Sequence, residues 1–147
     1  MPVKRSSAGR YNVPPPPIKR FSPGDRIYVR AQQVWLILVA YVMFGGRGPW
    51  RSRLLTYGDL AKLMGLDSRA AIGLGRELGL VGTYCLQNGL PGLNCIVVGR
   101  ETNAPGLGVV FRRGKTWQDD ARESFSIDWF QYRVPSTGTF RQIQEGT

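Results

Sequence analysis

A single run of eleven apolar residues, Val34 to Phe44 (VWLILVAYVMF), constrains the fold more than any other feature, and it is bounded by Gln32-Gln33 and Gly45-Gly46. That is well short of the ~18 residues needed to span a bilayer. The run therefore reads as a buried core helix, and no membrane is expected as a partner. Upstream, Ile27, Ala31, Val34, Trp35, Leu38, Tyr41 and Val42 recur at helical spacing, and Ser22-Pro23-Gly24-Asp25 offers Ser or Asp as a cap. One long helix ending near Gly45-Gly46 is predicted, with its apolar face as the core spine. The whole chain has 147 residues, 42% of them hydrophobic, enough to close one core with little surplus. A large multidomain enzyme is excluded.

Charge is distributed unevenly. Lys4, Arg5, Arg10, Lys19, Arg20, Arg26, Arg30, Arg47, Arg51 and Arg53 face a single acid, Asp25, in the first 53 residues, whereas the remainder is nearly neutral. The net +10 is thus an N-terminal feature, and 16 of the 20 cations are Arg, whose planar fork suits phosphates and base edges. A polyanion is the expected partner, nucleic acid ahead of membrane because no amphipathic basic helix accompanies the charge. The plainer alternative is a solvated tail that aids solubility.

Residues 1–22, with Pro14 to Pro17 among basic and small polar residues, read as a disordered or polyproline II arm, the PPPPIK string serving as a charged spacer. No apolar h-region marks a secretory signal. Residues 23–133 are predicted as one domain and 134–147 as a loose C-terminal tail. Within the domain, Arg47, Arg51 and Arg53 surround Trp50 in a loop, a composition that fits phosphate contacts with an aromatic platform, or equally a packed Trp with solvated arginines. Thr56 with Asp59 approximates a capping box, Leu60, Leu63 and Met64 form a stripe, and Gly65 breaks the helix. Asp67 or Ser68 then caps a second helix to about Leu78. This is a helix-turn-helix pattern. Asn94 to Val98 and Val109 to Phe111 are β-prone runs joined by a turn-rich loop, which together predict a hairpin wing. The fold class is accordingly α+β, a mainly helical winged helix-turn-helix with a small hairpin and a long N-terminal helix.

The chain contains no histidine, which removes the commonest general base and neutral metal ligand and every Ser-His or Cys-His pair. Cys85 and Cys95 are read as reduced packing residues, Asp119, Asp120 and Glu123 as a solvated face, and Gly73-Leu74-Gly75 as lying inside a helix. No metal site and no cofactor are expected, and the localisation implied is cytoplasmic, on the nucleoid if the cell is bacterial.

Leu55-Thr56-Tyr57-Gly58-Asp59-Leu60-Ala61, Gly65, Arg69 to Gly75 and Pro91 to Val98 resemble the C-terminal winged-helix domain of the O6-alkylguanine-DNA alkyltransferases and alkyltransferase-like proteins. The resemblance covers about residues 54 to 110, with Val81 to Leu90 as an insertion. It implies that the second helix enters the DNA minor groove, where small side chains permit close approach. Ala70, Ala71, Gly73 and Gly75 retain that smallness, Arg69 and Arg76 would flank the groove, and Ile72 would stand at or beside the family's intercalating arginine as an apolar wedge. The family's Pro-Cys-His-Arg run departs here: Asn94 holds the nucleophile position, Cys95 replaces histidine and Ile96 replaces arginine. A catalytic residue is therefore not expected.

These features together predict a non-enzymatic protein that binds duplex DNA through Arg47, Arg51, Arg53, Tyr57, Arg69, Ala70, Ile72, Gly73, Arg76 and, on the wing, Arg100. The alternative is a small interaction module, an accessory subunit or inhibitor of the phage or mobile-element kind, that holds a protein partner.

Overall fold

The computed structural model describes residues 14, 16–18, 20 and 26–146, without the side chains of Ser68, Ala70 and Ile72. Most of the basic arm, including the Ser22 to Asp25 cap, lies outside the described residues. The protein is mainly helical α+β. In chain order come α1 (Arg26–Phe44), β1 (Leu55–Thr56), α2 (Tyr57–Leu63), α3 (Gly75–Gln87), β2 (Val97–Val98), α4 (Trp117–Ser124) and α5 (Thr137–Glu145). Short 3₁₀ turns occupy Trp50–Arg53, Ser68–Leu74, Leu93–Ile96 and Trp129–Gln131.

α1 follows its apolar periodicity. Ala31, Val34, Trp35, Leu38, Val39 and Val42 are buried, and Ile27 and Tyr41 are partly so. By length and composition alone this helix is also apolar enough to cross a membrane. Trp35 is central, meeting the rings of Tyr84 at 5.4 Å and Trp129 at 5.6 Å edge to face, a favoured aromatic geometry. Phe44 and Phe130, at the far end, stay exposed with their rings 5.6 Å apart. The neighbouring Trp129 is by contrast buried and donates to the Ser124 carbonyl at 2.7 Å.

Three expectations about the second half change. First, the helix does not stop near Leu78. α3 runs to Gln87 because Leu80, Val81 and Cys85 continue an apolar stripe whose burial outweighs the ~1 kcal/mol cost of Gly79 in mid-helix. The turn expected as the start of that helix, Ser68–Leu74, is instead 3₁₀, with Asp67 capping it through Arg69 N–H at 2.9 Å. Second, there is no hairpin between the two β-prone runs. β2 pairs in parallel with β1, Leu55 opposite Val97 and Thr56 opposite Val98, while Val109 to Phe111 is not a strand. The Val110 carbonyl that a ladder would use is taken by Asn94 Nδ2 at 3.0 Å and Cys95 Sγ at 3.6 Å. Third, the tail is folded. Ser136 caps α5, and Phe140 and Ile143, three residues apart on one helical face, are buried in the core, Phe140 beside the Tyr84 ring.

Candidate nucleic-acid interface

Thr56 caps α2, its hydroxyl accepting from Asp59 N–H at 3.1 Å, and this sets Tyr57 at the first helical position beside the sheet. α2 ends at Leu63 with Met64 as its cap, and the chain turns at Gly65, whose φ of 76° suits a residue without a Cβ. The chain then passes through Ser68–Leu74 into α3. Arg69 and Arg76 are exposed on this stretch. Arg69 pairs with Asp67 at 3.2 Å, but both side chains are largely in water, so the pair holds the arginine only weakly.

Gly75, Gly79 and Gly82 recur on one face of α3 at spacings of four and three. At Gly82 a Cβ would lie 2.7 Å from the Asn94 amide, and at Gly92 it would lie 2.8 Å from Asn94 Oδ1. Asn94 is thus boxed between two backbones and only 5% exposed. Its Nδ2 donates to Val110, while its Oδ1 is buried with no hydrogen-bond partner among the described residues. At Gly73, Gly75 and Gly79, by contrast, a Cβ would meet nothing within 4 Å.

Space therefore opens along the N-terminal half of this face. A cavity of about 350 Å³ is lined there by Ala71, Gly75, Leu78 and Gly79, with Tyr57 and Asn94 also in its wall, and Gly106 to Val110 opposite. That volume lies in the range of ligand pockets. Tyr57 holds the loop in place by accepting from Gly106 N–H at 2.7 Å.

The far end of the loop is fixed by Asp120. This carboxylate is fully buried, correcting its expected place on a solvated face. It accepts from Gly92 N–H at 2.8 Å, Arg112 N–H at 3.0 Å and Arg112 Nε at 2.9 Å. Arg112 also pairs with Glu123 at 2.8 Å, and that hydrogen bond holds the Glu123 carboxyl below its usual range. Among the described residues no cluster of three or more His, Cys, Asp or Glu could hold a metal ion. Burial pushes the Cys85 thiol up to about 12 and the Cys95 thiol higher still, so both stay protonated at neutral pH and neither is poised as a nucleophile.

The remaining candidates fall into two groups. Arg100 is exposed and lines a shallow cleft with Thr56 to Asp59 and Lys62, next to Tyr57. The Trp50–Arg53 turn packs instead on α4, where Trp50 meets Trp117 edge to face at 6.3 Å. Arg51 is exposed and stacks on Trp50 at 4.6 Å, and Arg47 is exposed. Arg53 is turned inward: it donates to the Val42 carbonyl at 3.1 Å and lies 4.4 Å over the Phe125 ring. It links α1 to the residue that caps α4, and so is held differently from the exposed Arg47 and Arg51. Gly73 is exposed, and Ala70 and Ile72 lie in the same 3₁₀ turn, their side chains outside those described. Sequence reasoning did not select Asn94, Gly79 or the Gly106 to Val110 loop as site residues. The one local signal for the loop was an apolar Leu107 between two glycines. No family model, curated protein or solved structure matches the chain.

Proposed function

We propose that this chain is a non-catalytic DNA-binding protein in which Ser68–Leu74 and the start of α3 approach the duplex. In this reading the anchored loop 99–112 replaces the hairpin as the wing of a winged-helix reader. The observation that carries the proposal is the bare glycine face. A glycine in a helix interior, as Gly79 is, costs about 1 kcal/mol relative to alanine. Neither a positive φ nor a neighbouring atom requires glycine at positions 75 and 79. Smallness that the fold does not use suits a partner that must come close to the backbone, and Arg69, Arg76 and Arg100 make the surroundings suited to an anion.

The alkyltransferase-like resemblance fits this arrangement. The two segments that carry it, around Tyr57 and around Val97, are neighbours through the β1–β2 pairing. Asn94, in the family's nucleophile position, lines the cavity. With an amide there and Cys95 buried and protonated, the site is suited to binding and lacks a nucleophile. A second reading, a protein-interaction module, draws on the exposed Phe44 and Phe130 pair at the C-terminal end of α1.

Fluorescence anisotropy against duplex DNA at two salt concentrations tests the proposal. Binding that weakens steeply with salt, and weakens further in R69E/R76E, is expected. Unchanged duplex binding in R69E/R76E would rule the docking surface out. A chain that binds no nucleic acid would favour the interaction module.

A further inference from the structure

We propose that Leu107 is an apolar wedge that inserts between base steps of the bound duplex and kinks it beside the cavity. The proposal rests on the DNA reading above and assigns a task to the loop. Minor-groove proteins often bend DNA by inserting a Leu, Ile, Phe, Met or Pro side chain into the stack.

Single exposed apolar side chains are ordinary on protein surfaces, but three features set Leu107 apart. It is fully exposed, more so than any other large hydrophobic residue described. It is also held out by a rigid support. Gly106 N–H is fixed to the Tyr57 hydroxyl at 2.7 Å and the Val110 carbonyl to Asn94 Nδ2 at 3.0 Å, so only Leu107, Gly108 and Val109 lie between the two anchors. Behind them, Arg112 is locked to Asp120, and at the loop's start Gly99 N–H bonds the Ala104 carbonyl at 2.9 Å. A wedge needs such backing, because a mobile loop would yield before the base stack did.

The third feature is position. Leu107 shares the cavity wall with Ala71 and Gly75, so DNA lying across the mouth of the cavity would meet this side chain at its edge. The flanking residues are both glycine, and Gly108, with φ of 81°, turns the chain sharply after the tip. No neighbouring side chain shields Leu107 from an incoming stack.

The test uses the full chain with a duplex carrying 2-aminopurine, whose fluorescence rises when it unstacks, and end labels that report bending. Wild type should raise the 2-aminopurine signal and bend the duplex. L107A should melt at the same temperature as wild type and bind roughly tenfold more weakly, the scale of one buried leucine side chain, with both DNA signals lost. L107F should restore them. If L107A binds, bends and unstacks like wild type while R69E/R76E binds poorly, the wedge is overturned and the DNA reading stands. If wild type binds no duplex, both fall. If L107A instead abolishes self-association in sedimentation and leaves the DNA signals intact, Leu107 is a contact between copies of the chain and the wedge is overturned.

Discussion

Along one face of α3, Gly82 presses its backbone against the Asn94 amide, whereas Gly75 and Gly79, nearer the N-terminus, look into open space. The residue type is the same, and so is the helical face. At the closed end glycine is a packing requirement, since Asn94 is wedged between Gly82 and Gly92 and tied to Val110. At the open end it is a cost that the folded chain alone does not repay. The difference separates residues needed for folding from residues left free for a partner, and substitutions at the two ends should differ in sign.

The largest effect is expected behind the closed end. Asp120→Ala strands the Gly92 and Arg112 donors and should cost about 3–5 kcal/mol, measured by urea unfolding. Gly82→Ala comes next, at about 1–3 kcal/mol of destabilisation from overpacking. A neutral Gly82→Ala would show that Asn94 can move aside and would break the comparison.

The smallest effect concerns Glu77, a buried carboxylate on α3. Burial raises its pKa above the usual glutamate value, with a backbone hydrogen bond and then Arg30 and Arg76 opposing only in part. A raised folded pKa contributes stability that is present below the unfolded value and lost as pH rises through the folded value. Glu77→Gln should therefore melt slightly higher than wild type at pH 7, with the gain disappearing below about pH 4.5, the ordinary glutamate value. An equal gain at pH 7 and pH 4 would mean that the carboxylate charge is not the cause.

What could be read in advance follows the range of the interactions involved. α1 and α2 were legible because each carries its own signal, an apolar periodicity in one and Thr56 capping in the other. The parallel partner of Val97-Val98 was not, since it lies some forty residues upstream and strand propensity does not name a partner. α5 was missed because Phe140 and Ile143 are too few to show a period, although Ser136 ahead of them was a usable cap signal. In the site, Tyr57 and the small residues from Ala71 to Gly75 were legible locally. The cavity was not, because four separate segments close it, and Asn94 becomes informative only once Gly82 and Gly92 are seen to box it in.

The central claim is that the open end of α3 stays bare for DNA. Its most direct test is G75L/G79L, which places two good helix formers where the structure has room. Thermal melting and anisotropy against the same duplex would be measured together. The account predicts a melting temperature equal to or above wild type together with loss of duplex binding. A stable double variant that binds duplex as tightly as wild type would contradict it.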